Sequence, residues 1–100
     1  MKEIEELRKE IDVIDRQLVA LFEQRMEVVT GVAEYKLAHG LPVLNAGREQ
    51  QVLEKCVSLL ENRDYSDAVT RWMQTTMALS REAQEKFLVQ REPHRNGMTE

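Results

Sequence analysis

The sequence predicts an all-α fold of three helices, the first very long, assembled as an intertwined homodimeric helical bundle. Three observations predict it. Apolar residues recur at helical spacing through most of the chain, and no stretch alternates with the two-residue period of a strand. The first helical pattern is also too long to be covered by a compact domain of 100 residues.

The first helix is the clearest element. Ile4, Leu7, Ile11, Ile14, Leu18, Leu21, Arg25, Val28, Val32 and Tyr35 follow an unbroken three-four spacing, the mark of a coiled-coil-like seam. Gly31 is its one weak interior position, about 1 kcal/mol worse than Ala. His39-Gly40, with Pro42 just beyond, predicts its end through a left-handed glycine cap. Asn45 is a good N-cap for a second helix running to about Asn62, with Val52, Leu53, Cys56, Val57 and Leu60 as its apolar residues. A third helix starts near Tyr65-Ser66-Asp67, with Ser66 as candidate cap. Its inner stripe reads Val69, Trp72, Met73, Thr76, Met77, Ser80, Ala83, Gln84 and Phe87. One domain is expected over residues 1–90. The tail 91–100, with Pro93, Asn96 and Gly97 and almost nothing apolar, is expected to fray.

Length turns into a statement about assembly. A helix of about 36 residues spans about 54 Å at 1.5 Å per residue. A compact domain of this size has a radius of gyration of about 13 Å. The helix must overhang its own globule and leave its seam exposed, and a second copy of the chain is the economical cover.

Composition narrows the function. The net charge of −4 disfavours a nucleic-acid partner, which would need a basic surface. The single cysteine, Cys56, cannot close an internal disulfide and suits the reducing cytoplasm. The longest purely apolar run, Leu18 to Phe22, is far too short for a signal-peptide core or a membrane span, so no membrane partner is expected. No glycine-rich phosphate loop is present. His39 and His94 fall in a helix end and a tail, which suggests neither a metal site nor a catalytic triad.

The polar residues that break the apolar pattern carry the chemistry. Arg25 occupies a seam position, where a guanidinium needs an anion nearby. Lys36 follows eleven residues later, three turns on and on nearly the same face, about 16 Å away along the axis. Ser80 and Gln84 form an i, i+4 pair on the inner stripe of the third helix. Arg48 and Glu49 lie in the first turn of the second helix, beside backbone N–H groups that favour anions. Together they would line a pocket of cations and neutral donors in which Glu49 alone is negative, a site for a small, multiply negative organic molecule. Each has a plainer reading. Arg25 could bend out to Glu23 or Glu27, Lys36 could be a solvated helix-end cation, Ser80 and Gln84 could be half exposed, and Arg48 and Glu49 could be ordinary first-turn charges. Trp72, Met73 and Met77 read as core.

The stretch Leu7-Arg8, Ile11-Asp12 and Ile14-Asp15, followed by Arg25, Lys36, Pro42-Val43, Arg48-Glu49, Ser80 and Gln84, resembles the all-α chorismate mutases over about residues 4–88. The resemblance implies a dimer of three-helix protomers whose two active sites draw on both chains. It implies the rearrangement of chorismate to prephenate on the route to phenylalanine and tyrosine, a unimolecular pericyclic shift that needs no cofactor, metal or nucleophile. It implies that Arg25 binds a substrate carboxylate and that Arg8 of the other chain clamps another part of the dianion. Helix geometry agrees, because Arg8 and Arg25 are about 25 Å apart and about 100° around one helix. Lys36 and Gln84 would hydrogen-bond the ether oxygen as its C–O bond breaks, Glu49 would accept from the ring hydroxyl, and Ser80 would touch a carboxylate. Arg48 would add positive potential. Asn45 stands where the family commonly has Asp; it can cap the helix and offer its backbone N–H, with the local charge changed by one. The same resemblance implies a chain complete as a mutase without a fused dehydratase or dehydrogenase. Two alternatives stay open at this stage: an isochorismate-pyruvate lyase of the same fold, against which Glu49 and the loop from Leu41 to Gly47 speak, and a non-catalytic helical dimerisation module, which leaves Arg25, Ser80 and Gln84 as unexplained core polar groups.

Overall fold

The computed structural model describes residues 1–91. They form α1 (Ile4–Ala38), α2 (Ala46–Ser58), a short 3-10 turn (Arg63–Tyr65) and α3 (Ser66–Gln90), with no strand among the described residues. The expected tail lies outside them, save for Arg91 at the end of α3.

α1 runs unbroken for 35 residues, with Glu5 and Glu6 in its first turn and Lys36 in its last, each charge complementing the helix dipole. Gly40 ends it at φ 64°, where an L side chain would be strained. The Leu41 N–H bonds the Lys36 carbonyl at 2.9 Å and the Gly40 N–H bonds the Leu37 carbonyl at 3.4 Å, which together make a Schellman cap. Asn45 caps α2 as expected, its Oδ1 accepting from the Arg48 N–H at 3.0 Å.

Two boundaries differ from the sequence expectation. α2 stops at Ser58 rather than Asn62, because Arg63 reaches back to donate to the Val57 carbonyl at 3.1 Å, while Asn62 caps the 3-10 turn by accepting from the Asp64 N–H at 2.9 Å. Ser66 is not the cap of α3 but its first residue. Its hydroxyl donates to the Arg63 carbonyl at 2.7 Å, since the 3-10 turn runs straight into the helix.

α3 is the centre of the fold and packs against both α1 and α2. Its buried residues are Met73, Thr76, Met77, Ser80, Gln84 and Phe87. Trp72, placed by periodicity on the inner stripe, is 54% exposed. On α1 only Val29 and Ala33 are buried, with Arg25, Met26 and Lys36 half-buried. The heptad seam is therefore not what packs inside the chain. α3 takes the neighbouring stripe, and every apolar seam residue from Ile4 to Tyr35 is exposed, Val28 to 68%. All residues up to Gln24 are exposed. The chain measures 65 × 29 × 18 Å with a radius of gyration of 18.1 Å, against about 13 Å for a compact domain of this length. The long helix overhangs, as its length requires.

Candidate active site

Where the three helices meet, side chains from each close around a cavity of about 150 Å³. α1 contributes Arg25, Val29, Val32 and Lys36, and α3 contributes Met77, Ser80, Arg81 and Gln84, each set spaced to share one helical face. Asn45, Arg48 and Glu49 enter from the first turn of α2, with Val43 from the loop before it. A roomier cleft of about 380 Å³ lies between α1 and α3, lined by Leu18, Phe22, Trp72 and Leu79 among others, but Arg25 is its only charged group. The chemistry lies in the smaller cavity.

Two interhelical hydrogen bonds order the polar groups. Arg25 donates through Nη1 to Ser80 Oγ at 2.5 Å, and that hydroxyl donates onward to the Thr76 carbonyl at 2.9 Å. The Ser80 hydrogen is thus occupied inside α3, and most of the five guanidinium donors of Arg25 remain for a ligand. Lys36 Nζ donates to the Val43 carbonyl at 2.5 Å and to Gln84 Oε1 at 3.1 Å. An ammonium can only donate, so it must face the amide oxygen, which leaves the Gln84 NH₂ group free to donate elsewhere. The turn and the site are linked here: the Gly40 cap swings the chain back so that the Val43 carbonyl meets Lys36. No buried side-chain polar atom lacks a partner among the described residues.

Glu49 is held by a residue that sequence reasoning did not single out. Arg81 Nη1 contacts both of its carboxylate oxygens, at 2.5 and 2.6 Å, with both side chains half-buried. The signal was present: Arg81 lies four residues after Met77 and three before Gln84, beside the inner stripe. Four cations, Arg25, Lys36, Arg48 and Arg81, and one carboxylate thus line the cavity. Such a lining favours a small dianion.

The cavity gathers Arg25, Lys36, Asn45, Arg48, Glu49, Ser80 and Gln84. It does not include Arg8, which is exposed on the overhanging part of α1 and paired with Glu5 at 3.2 Å. Arg8 is about 25 Å along the helix from Arg25, beyond the reach of an arginine side chain. Among the described residues no group of three or more His, Cys, Asp or Glu side chains is placed to hold a metal ion, and no helix is long and apolar enough to cross a membrane. Cys56 is free and half-buried in α2.

The sequence matches the family described as chorismate mutase type II over residues 7–85. It is 43% identical over 54 residues to the T-protein of Haemophilus influenzae, a match covering 54% of this chain and 14% of that protein. It is 32% identical over 71 residues to the intracellular chorismate mutase of Mycolicibacterium smegmatis, covering 69% of this chain and 68% of the relative. It is 32% identical over 53 residues to the 4-amino-4-deoxychorismate mutase of Streptomyces venezuelae, covering 53% of this chain and 52% of that protein. The first three curated relatives it matches are much longer, and the matched segment spans between 14% and 21% of their length.

Proposed function

The chain belongs to the chorismate mutase type II family, and from that premise we propose that it rearranges chorismate to prephenate as a homodimer with shared active sites. The observation that carries the proposal is the pair of bridges across one cavity, Arg25 to Ser80 and Lys36 to Gln84, set among cations and neutral donors.

The reaction breaks the ether C–O bond and forms a C–C bond within one molecule, with no proton transferred. A site accelerates it by holding the folded, reactive conformer and by stabilising charge that grows on the ether oxygen. In this reading Arg25 binds one carboxylate, and Arg8 from the second chain clamps another part of the dianion. Lys36, with a donor to spare after Val43 and Gln84, and the free NH₂ of Gln84 meet the ether oxygen. Glu49 accepts from the ring hydroxyl, Ser80 adjoins a carboxylate, and Arg48 and Asn45 close the mouth at the first turn of α2. The mutase unit is residues 1–90, and the free thiol of Cys56 fits the cytoplasm.

The dimer reading is supported by the protomer's sparse core. Val29, Ala33, Met73, Met77 and Phe87 are its only buried apolar residues among those described, while every apolar residue of the α1 seam is exposed. Most of a helix's stability in a protein comes from packing its apolar face, and this face has no cover within the chain. The amino analogue of chorismate is a second candidate substrate, favoured by the likeness to the Streptomyces venezuelae mutase. The test is loss of chorismate absorbance on adding purified protein, with the product converted by acid to phenylpyruvate. Turnover that Arg25→Ala lowers on the order of ten- to a hundredfold in a folded dimer is expected. No turnover by the folded dimer overturns the reading.

A further inference from the structure

We propose that Arg81 is a specificity-determining positioning residue: by neutralising Glu49 it selects a substrate with an uncharged hydroxyl, rather than an ammonium, at C4 of the ring. The inference rests on the mutase reading above and deepens it. Four cations face the cavity, and Glu49 is its one carboxylate. The carboxylates of a dianionic substrate turn to the cations, which leaves its remaining polar substituent to the lone acceptor. In chorismate that substituent is a hydroxyl; in 4-amino-4-deoxychorismate it is an aliphatic amine, protonated and cationic at neutral pH. An unpaired carboxylate would favour the cation. Here Glu49 is already matched by Arg81, which holds both oxygens within 2.6 Å. Spare lone pairs on the carboxylate can still accept from a neutral hydroxyl, but an ammonium would meet a second cation across the same group.

Position supports the assignment. Glu49 and Arg81 line both the substrate cavity and a neighbouring one of about 360 Å³, so the pair forms part of the wall between them. Arg81 can therefore fix the charge of Glu49 from within that wall, with both carboxylate oxygens in its reach. Asn45, a neutral residue one turn before Glu49, adds no second carboxylate to serve an amine.

The test compares kcat/KM for chorismate and for 4-amino-4-deoxychorismate in the wild type, Arg81→Gln and Arg81→Lys. The ratio is expected to favour chorismate in the wild type, to fall about tenfold in Arg81→Gln, and to return in Arg81→Lys, which restores the charge. The change is expected in KM rather than kcat, because the C4 substituent takes no part in the bonds that break and form. In a Glu49→Gln background, Arg81→Gln is expected to leave the ratio where it is. A merely structural Arg81 would lower both substrates equally, and an unchanged ratio in Arg81→Gln overturns the proposal while leaving chorismate turnover by the wild type intact. Absence of that wild-type turnover would instead remove the mutase reading and this inference with it. Should Arg81→Gln fail to fold, the ratio in Arg81→Lys and Glu49→Gln decides: a ratio indifferent to losing the Glu49 charge refutes the selection.

Discussion

If each active site joins Arg25 of one chain to Arg8 of the other, two impaired variants will rescue one another. Arg25→Ala removes a guanidinium bonded to Ser80, and Arg8→Ala removes one about 25 Å away along α1. A charge-assisted contact to a carboxylate contributes about 1.5–3 kcal/mol. At about 1.4 kcal/mol per factor of ten, each variant alone should lose on the order of ten- to a hundredfold in kcat/KM. Unfolding the two together and refolding them at equal concentration makes about half of the dimers mixed, and two-fold symmetry fixes what each mixed dimer contains. One of its sites carries both substitutions and the other carries neither. Intact sites then make up about one quarter of the total, so activity should rise to about one quarter of wild type refolded in parallel. The assay is chorismate disappearance before and after co-refolding. Activity that stays at the average of the two separately refolded variants would refute a site shared between chains, and with it the role given to Arg8.

Other consequences can be measured separately. Gln84→Glu should lose on the order of a hundredfold at neutral pH, where the new carboxylate accepts from Lys36 and has no proton to give the ether oxygen. Because the protonated acid is the active form, activity should climb as pH falls toward the ordinary glutamate range near about 4.3; a flat pH–rate profile would contradict the donor role. Ile14→Asp, on the exposed seam, should dissociate the dimer in sedimentation and lower helix content, since it replaces about 1.5–3 kcal/mol of apolar burial per copy with a charge. A variant still fully dimeric would place the interface elsewhere. Gly40→Val should strain the left-handed cap by about 1–2 kcal/mol and lower Tm by several degrees in a thermal scan, an unchanged Tm showing that the turn does not depend on it.

The helices were legible because periodicity is a local property. The three-four spacing located α1, and Gly40 and Asn45 marked its end and the next beginning in the way their backbone chemistry demands. What the spacing could not say is which neighbour covers the seam. The spacing sets Val28 and Val32 in one seam, but only the structure shows that α3 packs on the adjacent stripe of Val29 and Ala33 and leaves that seam outside. The end of α2 escaped for a related reason: it is set by Arg63 folding back on Val57, a contact visible only once the chain has turned.

At the site, the residues that broke the apolar pattern were legible as a group. Arg25 and Ser80, and Lys36 and Gln84, stand on different helices and meet at hydrogen-bonding distance. Arg81 was missed because a charged residue beside a stripe of mixed polarity reads as solvated, and its partner Glu49 lies 32 positions away. Arg8 is legible only through family resemblance and helix length, since within one protomer it touches nothing but Glu5 among the charged groups around it.

The most direct measurement is the simplest one: purified protein added to chorismate, without added metal or cofactor, with absorbance followed and the product identified after acid treatment as phenylpyruvate. Steady loss of chorismate with prephenate formed, slowed on the order of ten- to a hundredfold in a folded Arg25→Ala dimer, is the predicted result. A folded wild-type dimer that leaves chorismate unchanged would contradict it.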